Sequence, residues 1–490
     1  MESYVWEPRD RFLNRADDVA ALEDWWAHPT RDALALVGRR RVGKSWLFRR
    51  FADGKPAVIL VSDRGLATTQ MAHFAKVLEP HVGVRPDIGG VPELIRILYD
   101  LGREQPVLAV IDEFPFLIPD GSAREEVLSE IQAAMEDRRD SSRTKLVLCG
   151  SLIGQMEALL HERSPLHGRL RRLDVWPLTF AESRVMTSSD DTAEERIVRY
   201  AVAGGMARYL SELGDDSLKD AVCHRVLNRR SALFDDPRAV LEQELRSPAT
   251  YFSILAALAR GPASTDHLLR ELRLDKSNEL SPYLSTLRQM RLLQTSLPVG
   301  APGGSHSAKH AVADGFIGFW FRFVFPHQEG LQQGLSPEDL WDAVIQPHLG
   351  EFVAPSYEEL CARYVRRTCG AIAPTVGGWW GPALNVYRRT KERLAEEIDV
   401  VAAQYKNLKA VGECKWTTSS MPASVLSDLR EFKLPAIAQE RRLKVPSAPR
   451  IFLFSRSGFA PELIQAAERD PQVTLVAPGE LVGVLDSEIE

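Results

Sequence analysis

Gly38-Arg39-Arg40-Arg41-Val42-Gly43-Lys44-Ser45 constrains this chain more than any other stretch, because of what stands on either side of it. The apolar run Ala33-Leu34-Ala35-Leu36-Val37 predicts a buried parallel strand leading into it. Trp46-Leu47-Phe48-Arg49-Arg50-Phe51 follows with helical spacing of apolar positions. Strand, Gly-x4-Gly-Lys-Ser and helix together make a loop whose backbone N–H groups close around phosphate oxygens at the positive end of a helix. In that setting Lys44 reaches the β- and γ-phosphates and the Ser45 hydroxyl ligates Mg²⁺. Gly38 through Trp46 are thus the expected contacts of a nucleoside triphosphate.

Hydrolysis needs a second element, and Pro106-Val107-Leu108-Ala109-Val110-Ile111-Asp112-Glu113 supplies its pattern. The apolar run reads as a central strand buried on both faces, delivering two carboxylates at its C-terminal edge. Asp112 is expected to hold the metal, and Glu113 to orient or deprotonate the attacking water. Further strands are legible at Ala57–Val61, Lys145–Cys149 and Leu170–Trp176, with helical patterns at Thr68–Val82 and Pro92–Leu101 between them. That alternation predicts an α/β domain with a doubly wound parallel sheet, whose ligand lies beyond the carboxyl ends of the strands. Ser151 follows one strand directly, so its hydroxyl either senses the γ-phosphate or caps the next helix.

A chain of 490 residues is too long for one ordinary core, and two to four domains are expected. Its net charge of −6 gives no global attraction to nucleic acid, so any such surface must be a local patch. The five cysteines show neither metal-ligand spacing nor a paired framework, which suits a reducing cytoplasm. The first residues carry no basic, apolar leader. Gly315–Phe321 is apolar but is interrupted by Arg322 and is too short to span a bilayer, so no membrane partner is expected.

The residues resemble the prokaryotic AAA+-like ATPases of the STAND type, often called the archaeal ATPase family. Phe12-Leu13-Asn14-Arg15 looks like the adenine-side box of that family, which adds Asn14 and Arg15 to the expected ATP contacts. Ser164-Pro165-Leu166-His167-Gly168-Arg169 is similar to its Ser-Pro-Leu-Tyr-Gly-Arg segment. Gly204-Gly205-Met206-Ala207-Arg208-Tyr209-Leu210 resembles its Gly-Gly-x-Pro-x-Tyr-Leu motif, with Ala207 where the family has proline. Arg169 becomes a candidate for stabilising charge on the γ-phosphate, from its own or a neighbouring subunit; the other reading is a surface arginine paired with an acidic neighbour. Arg163 is a weaker competitor. A trans-acting arginine needs a homo-oligomer.

Residues 179–243 read as helical, where the resemblance implies a lid over the nucleotide. Helices at Tyr251–Ala259, Ser264–Glu271 and Ser277–Met290 are followed by extended segments at Leu292–Pro298 and Ala308–Ala313 around a Gly/Pro/Ser-rich loop. Three helices and a hairpin give the order of a winged helix-turn-helix. The exposed face of the third helix offers Asn278, Ser281, Ser285, Arg288 and Arg291 but no dense basic stripe, so DNA contact and a packing role stay open. Phe316–Phe325 reads as an interdomain packing helix.

At the C-terminal end, Glu397-Ile398-Asp399-Val400-Val401-Ala402-Ala403 and Lys409-Ala410-Val411-Gly412-Glu413-Cys414-Lys415-Trp416 suit two strands of a hairpin. Residues two apart on a strand share a face, so Glu413 and Lys415 project together and the hairpin brings Asp399 beside them. Two carboxylates and a lysine on one surface suit a Mg²⁺-dependent phosphodiesterase; they also suit a solvated charge pair. The order resembles the PD-(D/E)XK core of restriction-endonuclease-like domains, which implies a helix glutamate before the hairpin. Glu358, in a helix expected over Pro355–Arg366, matches it, and Gly377-Gly378-Trp379-Trp380 fits the same pattern. The segment 381–395 is longer than usual there. Further αβ elements are expected at Ile451–Ser455, Pro461–Arg469 and Val473–Val476.

The expected organisation is an ATPase core over residues 1–180, a helical lid over 181–245, a winged helix over 246–330 and a nuclease-like α/β domain over 331–490. Such a cytoplasmic protein either couples ATP hydrolysis to a Mg²⁺-dependent nuclease acting on DNA, or is a nucleotide-operated switch that cleaves nothing.

Overall fold

The structure, a computed structural model, describes Val5 and residues 15–28, 32–245, 247–302 and 307–487. The chain forms two compact units. The first comprises residues 1–178 together with Met206–Arg208; the second comprises Thr179–Gly205 and Tyr209–Glu490. The path therefore leaves the second unit for three residues and returns to it at once.

The first unit is built on strands β1 (Ala33–Val37), β2 (Ala57–Val61), β3 (Val107–Asp112), β4 (Thr144–Gly150) and β5 (Leu170–Asp174), all parallel in the order β2-β3-β4-β1-β5. Every residue of β1 and β3 is buried, as unbroken apolar runs require of strands covered on both faces. Arg171 and Arg172 are exposed on β5, an edge strand that charge protects from further pairing. Phe74, Leu78, Leu94, Ile95, Leu98, Ile131 and Met135 of the crossing helices pack with the sheet in one core. This parallel five-stranded α/β sheet is consistent with the P-loop NTPase fold. Its order puts the C-terminal ends of β1, β4 and β3 side by side.

After β5, helices at Phe180–Ser183, Ala193–Ala203, Ala207–Leu213, Leu218–Ala221 and Asp236–Glu244 occupy the stretch read as helical, all in the second unit save Ala207 and Arg208. Thr179 and Thr192 each begin one with a reciprocal capping box, to Glu182 and Glu195. Then come helices Ala249–Leu258, Thr265–Leu272 and Ser277–Gln289 and a small antiparallel sheet of β6 (Ala263–Ser264), β7 (Leu293–Ser296) and β8 (Lys309–Val312) in the order β6-β8-β7. The third helix contains Pro282 yet continues through it. Phe316–Val324 is buried except for the half-buried Arg322, and Trp320 donates from its indole nitrogen to the Phe234 carbonyl at 2.8 Å.

The C-terminal sheet contains β9 (Thr375–Pro382), β10 (Ala395–Gln404), β11 (Asn407–Lys415), β12 (Arg450–Ser455) and β13 (Val473–Val476), in the order β13-β12-β11-β10-β9. β9, β10 and β11 form an antiparallel meander, and β12 and β13 continue parallel to β11. One face packs on Tyr357, Leu360, Tyr364 and Val365 of a helix that spans Gln346–Cys369, well beyond the expected Pro355–Arg366. Pro355 did not start that helix: it sits exposed inside it. The other face packs on Leu426, Leu429, Ile437 and Leu463. No helix among the described residues is long and apolar enough to cross a membrane.

Candidate functional site

The phosphate loop leaves β1 at Gly38, where a Cβ would stand 2.7 Å from the Val175 carbonyl oxygen, so only glycine fits. It closes at Gly43, whose φ of 102° lies in the region that L side chains rarely adopt. Arg41 also has positive φ, at 69°. The helix Lys44–Ala52 starts immediately after the loop, so its free N–H groups face the curve that Gly38, Arg39, Arg40, Arg41 and Val42 describe. Lys44 is only 6% exposed, and its Nζ donates to the Gly38 and Arg39 carbonyls at 2.6 and 3.0 Å. Trp46 stands 41% exposed on the first turn of the helix.

Asp112 and Ser45, 67 residues apart, meet directly: the Ser45 hydroxyl donates to Asp112 Oδ2 at 3.0 Å. Glu113 follows in the left-handed region at φ 53°, an uncommon conformation for a residue with a side chain. Its Oε2 accepts from both the Ser151 hydroxyl at 2.8 Å and the Ser151 amide at 3.1 Å. Ser151 is therefore not the cap of the next helix, whose N-cap is Leu152. Its position at the end of β4, between β1 and β3, gives it reach to the carboxylate.

Arg15 is buried and donates to the Val42 carbonyl, to Asp18 at 2.8 Å and to the Trp176 carbonyl at 3.1 Å, tying the segment before β1 to the loop. Asn14 lies outside the described residues. The Met206–Arg208 excursion joins the same place: the Arg208 amide donates to the Arg41 carbonyl at 3.3 Å, and Ala207 lies 3.8 Å from where a Cβ of Gly43 would be. Arg169 is placed otherwise than a charge-stabilising role requires. Its Nε and Nη2 donate to Glu136 Oε1 at 2.8 and 2.6 Å, the surface ion pair that was its alternative reading. Among the described residues Arg163 shows no tie to the loop; its backbone amide donates to the His161 ring at 3.3 Å.

A second cluster forms on β10 and β11. Val400 pairs with Gly412, so Asp399 and Glu413 are next in register on adjacent strands. Between Ile398 and Val401 the pairing with β9 slips by one residue, a β-bulge opposite Gly378 that falls on Asp399. Asp399 Oδ2 accepts from the Cys414 amide at 2.8 Å. Glu413 is 1% exposed and accepts from Lys433 Nζ at 2.7 Å, with Lys415 Nζ 3.7 Å away.

Burial pushes the Glu413 carboxyl up to about 7, with Asp399 adding to the rise and Lys433 and Lys415 opposing it. Burial, then the charges of Asp399 and Glu397, lift Glu358 to about 8. Asp399 is also raised by burial, against the Cys414 amide and both lysines. For Lys415, burial disfavours the charge, but Asp399 and Glu413 outweigh it and its value rises.

The expected metal set of Glu358, Asp399 and Glu413 needs a correction. Among the described residues no group of three or more His, Cys, Asp and Glu side chains is placed to hold a metal ion. Lys433 already claims one oxygen of Glu413. Sequence reasoning missed Lys433, because it arrives from a helical segment after β11 and no local pattern marks it.

Residues 30–184 match a family described as an AAA domain. The chain carries an AAA-type ATPase domain. Residues 320–425 match a second family, described as archaea bacterial proteins of unknown function. An uncharacterized protein of Methanocaldococcus jannaschii is 25% identical to the ATPase over 421 residues, covering 83% of this chain and 87% of the relative. An uncharacterized ATP-binding protein of the same organism is 39% identical over 44 residues, 9% of this chain and 75% of that one. Among solved structures, the Walker-type ATPase of Pyrococcus abyssi gives a TM-score of 0.46 at 20% identity, covering 65% of this chain and 98% of its own. A Signal Transduction ATPase with Numerous Domains, with a tetratricopeptide repeat sensor, from Pyrococcus horikoshii gives 0.29 at 12% identity, covering 75% and 52%.

Proposed function

We propose that the ATPase controls a PD-(D/E)XK-type nuclease site at its C-terminal end, with DNA as the substrate. In the ATPase centre, backbone amides from Gly38 to Ser45 would hold the phosphates, and Lys44 would leave its loop carbonyls for the β- and γ-phosphates. Ser45 and Asp112 offer a hydroxyl and a carboxylate 3.0 Å apart, hard oxygen donors that fit Mg²⁺. The ion would neutralise charge on the phosphate oxygens. Glu113 would orient the attacking water and accept its proton, while Ser151 fixes the carboxylate in place. Arg169 pairs with Glu136 on the surface and is given no role within its own centre.

The observation that carries the nuclease half is the meeting of Asp399, Glu413 and Lys415 on β10 and β11, on a meander extended by two parallel strands. Mg²⁺ commonly binds through one or two carboxylates plus substrate phosphate, so Asp399 and Glu413 fit it without a third acid. Bound there, the ion would polarise phosphate and lower the pKa of a coordinated water. Lys415 would steady the developing charge. In this reading residues 181–245 are the lid and 246–330 a winged helix.

The Lys433–Glu413 contact favours a second reading, a nucleotide-operated switch in which the cluster is held shut by its own lysines. Cleavage of single- and double-stranded DNA and RNA with Mg²⁺ and ATP separates the two. The nuclease reading expects cleavage that Lys415→Ala abolishes while ATP hydrolysis persists. No cleavage of any of these by the intact protein leaves the switch.

A further inference from the structure

Between β9 and β10 the chain makes a basic insertion with the short helix Asn385–Thr390. Arg388, Arg389 and Lys391 are exposed there, and none has an ion-pair or side-chain hydrogen-bond partner among the described residues. Lone surface cations are ordinary, but this segment is pinned. Tyr387 packs edge-on against Phe432 at 5.3 Å, and the Arg393 guanidinium lies 3.9 Å from the same ring while pairing with Asp428 at 2.5 Å. Gln439 accepts from the Asn385 amide at 3.0 Å. Phe432 immediately precedes Lys433, the residue that reaches Glu413. Gln439 stands two residues before Arg441 and three before Arg442, two more exposed cations without ion-pair partners among the described residues. In a chain of net charge −6, these five cations, without ion-pair partners among the described residues, outnumber the neighbouring acids Glu392 and Glu440 and form a distinct local field on and beside one anchored insertion.

We infer that Arg388, Arg389 and Lys391, with Arg441 and Arg442, form a docking surface for the phosphate backbone of DNA that feeds the Asp399–Glu413–Lys415 cluster. The inference rests on the nuclease reading for what happens after docking, but not for the docking. Guanidinium groups bind phosphate oxygens in pairs, and a fixed set of them positions a backbone without reading bases. The surface thus binds DNA without sequence preference.

The test is fluorescence anisotropy of the full chain with a labelled 30-mer duplex and the matching single strand, in EDTA so that neither is cut, across a salt series. Wild type is expected to bind, with affinity falling steeply as salt rises. Arg388→Ala/Arg389→Ala/Lys391→Ala together should weaken binding about tenfold or more and flatten the log–log salt slope by roughly 2 to 3, near 0.9 per lost phosphate contact. ATP turnover and the unfolding midpoint of the triple variant should match wild type, since these side chains are exposed. Equal affinity and slope in wild type and variant overturn the surface even where DNA is cleaved, leaving the nuclease reading intact. Binding that depends on the three cations, without cleavage under any metal, supports the surface and ends the nuclease reading. No binding of either DNA by wild type overturns the surface.

Discussion

The two charged clusters of this molecule solve the same problem differently. At the phosphate loop, three charged side chains are met by neutral groups: Lys44 by backbone carbonyls, Asp112 by a serine hydroxyl, Glu113 by the hydroxyl and amide of Ser151. On β10 and β11, acids crowd one another beside two lysines, and burial raises their proton affinity. The raised carboxyls of Glu358, Asp399 and Glu413 tie the charge of this cluster to pH. The first cluster is therefore expected to show its importance in rates, and the second in pH-dependent stability.

Glu113→Gln gives the sharpest test of the first half, with ATP binding retained and steady-state phosphate release slowed about 10²- to 10⁴-fold. Unchanged turnover would remove Glu113 from the proton transfer. Lys44→Ala should raise the dissociation constant for ATP about 10- to 100-fold, measured by titration calorimetry, as the loss of charge-assisted hydrogen bonds implies. Ser151→Ala leaves Glu113 with only a backbone donor and should slow turnover about tenfold with ATP affinity kept. A large loss of affinity instead would make Ser151 a phosphate contact.

The smallest effect tests the other half of the contrast. Glu358 has a folded value of about 8 against an ordinary 4.5, so between those limits the folded chain binds more protons than the unfolded one. Its contribution to stability is thus greatest below pH 4.5 and is lost as pH rises through 8. Glu358→Gln should raise the unfolding midpoint at pH 8 by about 2 °C or more and flatten its decline from pH 5 to 8, in a calorimetric series. Parallel curves for wild type and variant would erase the distinction between the clusters.

How much of this was legible beforehand follows the range of the interactions. The phosphate loop, its strand and the Asp112–Glu113 edge are local patterns, and the sheet was readable from unbroken apolar runs. The meeting of Asp399 with Glu413 was legible because strand period and hairpin pairing are short-range rules. Lys433 was not, since 20 residues and a change of element separate it from Glu413. Nor was Glu136, 33 residues earlier on a helix, as the partner of Arg169, although pairing with some acidic neighbour was one of its two readings. The helix around Pro355 was read too short, because proline is a good start signal and a poor guide when nine residues precede it in the same helix. The bulge at Asp399 had one faint sign, the paired glycines Gly377 and Gly378 across from it.

The brief detour of Met206–Arg208 bears on how this protein can be dissected. A fragment cut after Leu178 keeps all five strands of the first sheet but loses the piece whose amide caps the Arg41 carbonyl beside Gly43. The nucleotide-handling unit is consequently not a contiguous length of polypeptide, and no single scission releases it free of residues 179–205.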